Sequence, residues 1–72
     1  MSDDAGSWFV EARLEWIRES VTIFGFINRQ HIMCKFGISA PQAAQDLGRA
    51  QRRWPKLVQY NATTKRYERS PE

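Results

Sequence analysis

This chain of 72 residues holds one cysteine, one histidine and no long apolar run, and each scarcity excludes a class of answer. A lone Cys34 forms no intrachain disulfide, which fits a reducing, cytoplasmic setting. Cys34 and His31 lie three apart on a helical stretch. Together they fall short of the four ligands that a structural zinc needs, so no metal is expected. They read instead as a buried structural cysteine and a partly exposed histidine. No apolar run reaches membrane-spanning length, and the acidic start Met1-Ser2-Asp3-Asp4 is unlike a signal peptide. No serine has a base placed beside it, and no glycine-rich phosphate loop occurs. Glu11, Glu15 and Glu19 read as an exposed helix face. The expectation is a protein that is not an enzyme, binds no cofactor and does not enter a membrane.

Acidic residues are also scarce in one half of the chain. Residues 29–69 carry nine Lys or Arg against Asp46 and Glu68, a balance of +7, whereas residues 1–20 carry −3. Such asymmetry suggests a polyanion-binding half on an otherwise neutral or acidic body. The alternative is a merely solvated basic face. At this length one domain is expected, burying roughly 60% of its unfolded surface. Three Trp and four Phe supply bulk for its core.

What is present is a run of punctuated helices. Residues 1–7 are small and polar and read as a flexible N-terminus, with Ser7 capping a helix over Trp8–Phe24. Val10, Leu14, Ile17, Val21 and Phe24 form its core-facing stripe. Phe9, Ala12, Trp16 and Ile23 form a second apolar arc about 100° away. That arc meets another protomer or an absent domain, or else packs within the same chain. Gly25 ends the helix, Phe26-Ile27 reads as a short strand, and Asn28 caps a second helix from Arg29 to Phe36. Ile32, Met33 and Phe36 are its inward residues.

The segment Phe36-Gly37-Ile38-Ser39-Ala40-Pro41 reads as a helix end, a tight turn and a new helix start. Gly37 suits a left-handed helix end, Ser39 an N-cap, and Pro41 the first turn. A third helix is predicted over Ala40–Trp54, ended by Pro55. Ala43, Leu47, Ala50 and Trp54 share one face. Pro41, Gln42, Gln45, Arg49, Arg52 and Arg53 occupy the other, with no carboxylate among them. Residues 57–68 read as a β-hairpin, with strands Leu57–Tyr60 and Lys65–Glu68 about a turn at Asn61–Thr64. The fold class is therefore mainly α with a small β-hairpin, a winged helix-turn-helix of three helices plus wing.

These residue types suit duplex DNA. Gln42 and Gln45, near the start of the third helix, are placed to read bases, and Ala40 and Pro41 to meet thymine methyls. Ser39 can bind a phosphate. Arg52 and Arg53 suit phosphates, while Arg49 stands between base and phosphate. Lys65 and Arg66 suit a wing on backbone or minor groove, with a solvated hairpin tip as the alternative. Tyr60 and Tyr67 are expected on the hairpin's inner face. The rival functions are a protein-interaction winged helix using the second arc of the first helix, and RNA binding through the same basic face.

Ile27-Asn28-Arg29, Phe36 to Leu47, Tyr60-Asn61 and Lys65-Arg66-Tyr67 together resemble the N-terminal winged helix of bacterial WYL-domain, DeoR-like repressors. That group includes regulators of phage-defence operons. The resemblance spans residues 8–68 and leaves 69–72 as a tail or the start of a linker to an absent domain. It implies operator binding as a repressor, a homodimer, a downstream ligand-sensing domain and a place in the bacterial cytoplasm. It puts Ser39, Gln42, Gln45 and Arg49 on the recognition helix and Lys65 and Arg66 on the wing.

Overall fold

The computed structural model describes residues 4–70, and side chains from Trp8 onward. Residues 1–3 of the expected N-terminal segment and 71–72 of the expected tail lie outside it. Six elements follow in order: α1 (Asp4–Phe24), β1 (Phe26–Ile27), α2 (Arg29–Phe36), α3 (Ala40–Arg53), β2 (Val58–Asn61) and β3 (Arg66–Arg69). The three strands form one antiparallel sheet of order β1-β3-β2.

Helix α1 begins before Trp8, so Ser7 lies within it and not at its N-cap. It ends at Gly25, whose φ of 88° is a left-handed conformation and whose N–H donates to the Val21 carbonyl. The last turn is also held from the sheet. The Arg69 guanidinium donates to the Thr22 carbonyl (3.1 Å), and the Arg69 N–H to the Gly25 carbonyl (2.9 Å).

Helix α2 starts with a reciprocal cap. The His31 N–H donates to Asn28 Oδ1 (3.1 Å), and the Asn28 N–H donates to His31 Nδ1 (3.3 Å). His31 is thus the N3 partner of a capping box, a place usually held by Glu or Gln. Gly37, at φ 63°, closes the helix, and Ile38 beyond it packs on the core. Ser39 Oγ accepts from the Gln42 N–H (3.3 Å) and opens α3. Trp54 is the C-cap, so α3 stops one residue short of the expected end, and Pro55 blocks continuation.

The core is Leu14, Ile17 and Val21 of α1, Ile27, Ile32, Ala43, Leu47 and Ala50, and Val58 of the sheet. Ala43 and Ala50 are small enough to let α3 lie close to its neighbours. Trp16 packs edge-on against Phe36, with ring centroids 5.6 Å apart. The second arc of α1 therefore divides: its middle is used inside the chain and its ends are not. Phe9 and Ile23 stay 55% and 70% exposed, as do Trp8 at 65% and Phe24 at 71%.

Two core assignments are corrected. Phe24 faces solvent because the stripe is complete at Val21 and the chain turns back at Gly25. Cys34 is exposed, since it lies two residues, or about 200°, around α2 from the buried Ile32.

Both strands of the hairpin lie one residue later in the chain than expected. Tyr60 pairs with Tyr67 and Asn61 with Arg66, leaving residues 62–65 as the connection. Asn61 Oδ1 accepts from the N–H groups of Thr63 (2.9 Å) and Thr64 (3.2 Å), which folds the turn onto its own first residue. Lys65 takes a left-handed φ of 59° and belongs to the turn, not to a strand.

Candidate nucleic-acid interface

Helix α3 stands against α1 through a buried ion pair. Asp46 is fully buried, and Arg13 Nε donates to its Oδ2. Gln42 Nε2 donates to its Oδ1 (3.1 Å), so the Gln42 side chain is half-buried and tied inward. At the other end of α3, Arg53 Nη1 donates to both carboxylate oxygens of Glu11 (2.6 and 2.8 Å). Its guanidinium also lies 5.1 Å from the Trp54 ring. The expected six-residue outer face is thereby narrowed. Gln42 and Arg53 turn to its α1 edge, and Glu11 brings a carboxylate there.

What remains outward is a band of Pro41, Gln45, Arg49 and Arg52, all exposed. Among the described residues no ion-pair partner is found for Arg49 or Arg52. Ala44 and Gly48 extend the band toward the hairpin without bulk. Ser39 is exposed at its N-terminal end and Ala40 half-buried there.

Beyond Ala44 a cleft of about 490 Å³ separates the start of α2, helix α3 and the hairpin. Arg29, Gln30, Ala44, Tyr60, Lys65 and Tyr67 line it. Tyr67 is half-buried, and burial first, then the neighbouring Tyr60, pushes its hydroxyl above the ordinary value. Tyr60 is exposed, its ring 5.0 Å from that of Tyr67. Arg29, on the rim of this cleft, was not among the expected site residues. Its position at the first turn of α2 sets it beside the wing only once β1 has paired with β3.

The two wing cations differ. Lys65 is exposed at the tip. Arg66 donates from Nε to Glu68 (2.7 Å) and lies 4.1 Å over the Phe26 ring, so its charge is already engaged. Glu68 also accepts from Asn61 Nδ2 (3.0 Å) and Thr64 Oγ1 (2.8 Å). These three donors, Arg66 first, hold its carboxyl at about 2.

A larger apolar groove of about 660 Å³ runs along α1, β1 and α2, with Trp16, Phe24, Phe26 and Cys34 in its lining. It shares no lining residue with α3. Among the described residues no group of three or more His, Cys, Asp or Glu is placed to hold a metal ion. No helix there is long and apolar enough to cross a membrane.

Three helices with a tight turn between the second and third, followed by a basic hairpin on a short sheet, define a winged helix-turn-helix domain. The band lies on its third helix, and the cleft lies between that helix, the start of α2 and the hairpin. The chain belongs to the BrxR transcriptional regulator winged helix-turn-helix domain family, whose model matches residues 9–72. The chain is thus a regulator's winged helix, and the family is not one of enzymes. A comparison with curated proteins found no match.

Proposed function

We propose that the domain binds double-stranded DNA sequence-specifically, with α3 in the major groove and the hairpin on the backbone or minor groove. The observation that carries this reading is the exposed band Pro41-Gln45-Arg49-Arg52, free of acidic side chains and flanked by Lys65 and Arg29. Gln45 is the freest base reader and suits adenine, which pairs with a carboxamide through N6 and N7. Arg49 stands where either a guanine edge or a phosphate lies within reach. Arg52, Lys65 and Arg29 suit phosphates. Ser39 Oγ accepts from its own helix and keeps its hydroxyl proton for a phosphate oxygen. Occupancy of a promoter by such a domain blocks polymerase, so repression is the mode proposed, acting in the cytoplasm on chromosomal DNA.

The test is a duplex titration at several salt concentrations. Arg52→Ala is expected to weaken all duplexes alike and to reduce the salt slope by about 1. Gln45→Ala is expected to relax sequence preference at one position with little change in that slope. If both variants bind as the parent does, α3 is not the reading element.

The exposure of Trp8, Phe9, Ile23 and Phe24 favours a second role for α1 as a protein contact. A homodimer is the proposed occupant, pairing two α3 helices on a two-fold operator; a ligand-sensing domain following this one is the other proposal from the resemblance. Replacing Ile23 and Phe24 by serine should leave the melting temperature nearly unchanged, because both are exposed. Sedimentation of the variant should show weaker self-association; unchanged self-association removes α1 from the interface.

A further inference from the structure

Asp46 is a fully buried carboxylate on a helix whose buried face is otherwise Ala43, Leu47 and Ala50. Arg13 meets both its oxygens, through Nε on Oδ2 and Nη2 on Oδ1 (3.5 Å). That contact already offsets the buried charge. Gln42 adds a third, neutral donor from one turn earlier on α3. Paired with a guanidinium, the carboxylate accepts hydrogen bonds and offers none. The end of the Gln42 carboxamide that faces it must therefore be the amino end, so the network decides which way the amide is turned. Its other end, Oε1, has no donor among the described residues and is not sealed from solvent. It sits in the first turn of α3, at the border of the exposed band.

We propose that Asp46 is a positioning residue for sequence reading. It holds the Gln42 carboxamide with Nε2 inward and leaves Oε1, at the border of the band, free to read a base as an acceptor. The matching groups in the major groove are the exocyclic amines of adenine (N6) and cytosine (N4). An unrestrained glutamine has no such bias, since its carboxamide turns over to meet donors or acceptors alike. Restraint before binding also lowers the ordering cost at the interface. Helix α1 enters specificity without touching DNA, because Arg13 holds Asp46 in place. The inference rests on the reading that α3 enters the major groove.

Selection from a random duplex pool identifies the base pair whose preference disappears in Gln42→Ala. A matched duplex lacking only the exocyclic amine at that base is then titrated against the 72-residue chain. The parent chain should bind it on the order of tenfold more weakly than the complete duplex. Gln42→Ala should not distinguish the two, and Asp46→Asn should lose most of the distinction while keeping its affinity for random duplex. Equal binding of both duplexes by the parent, or full discrimination by Asp46→Asn, overturns the proposal. If Asp46→Asn does not fold, the parent decides by side-chain amide hydrogen exchange: Gln42 should exchange more slowly than Gln45, and equal rates overturn the proposal. Failure of the parent to bind any duplex overturns the groove reading beneath it, while the exchange rates report separately on the Gln42–Asp46 contact.

Discussion

Glu68 shows how much of the wing depends on one side chain. It gathers Arg66, Asn61 and Thr64, which close the turn and tie the tip of the hairpin to its second strand. Its carboxyl is held at about 2, below an ordinary value of 4.5. A lowered folded value means that the ionised form is the one the fold favours. The contribution of Glu68 is therefore complete above the ordinary value and is lost as pH falls through about 2. In an acid titration followed by NMR, the Thr63 and Thr64 amides should stay native at pH 5 and drift progressively below the ordinary carboxylate range. In Glu68→Gln the wing should be looser at neutral pH, and this acid drift should be absent. His31 shows a residue in a different part from the one its neighbours suggest. Its spacing to Cys34 draws attention to metals, but its ring nitrogen accepts the Asn28 N–H and completes a helix cap.

At the scale of elements, α1 and α3 are linked twice, and the two links differ in kind. Arg13–Asp46 is buried and structural, with Asp46 wholly removed from solvent. Arg53–Glu11 is about half-exposed on both sides, where an ion pair contributes at most about 1 kcal/mol to stability. On the proposed DNA-binding reading its effect falls on function, since Glu11 occupies a cation that would otherwise be free to meet a phosphate. Glu11→Gln should leave the melting temperature nearly unchanged, strengthen binding to random duplex at low salt, and steepen the salt slope by about 1. Unchanged duplex affinity would show that Arg53 lies outside the footprint. The caps of α2 and α3 were legible in the sequence because Asn28, Gly37, Ser39 and Pro41 act within three residues of themselves, the first and third through side-chain oxygens and the other two through backbone conformation. Asp46 was not, since helical periodicity cannot see that Arg13, thirty-three residues earlier, will be folded against it. The same holds for Arg53, placed on the outer face by periodicity and turned to Glu11 by packing. The hairpin was legible as an alternation of residue types. Its one-residue shift came from Asn61, whose side chain begins the turn while its backbone is still in the strand.

For the whole molecule, the charge division of the chain becomes a division in space. Glu15 and Glu11 of α1 are drawn into pairs with Arg18 and Arg53, and the band on α3 keeps Arg49 and Arg52 outward. Net +3 is modest, so attraction to a polyanion depends on this local arrangement more than on the total. The exposed apolar ends of α1 and the basic band of α3 are separate surfaces, so the proposed protein contact and the proposed duplex contact do not compete for the same residues. The fold class was readable from the chain because three cap signals and a hairpin follow one another in a fixed order. The narrowed site was not, because it depends on which neighbour each side chain meets. The measurement that bears most directly on the account is a duplex titration of the chain, Gln45→Ala and Arg52→Ala across salt concentrations. The account predicts salt-dependent binding by the parent, a uniform loss with a shallower slope for Arg52→Ala, and relaxed sequence preference for Gln45→Ala. Absence of duplex binding at low salt, or identical titrations for all three proteins, would contradict it.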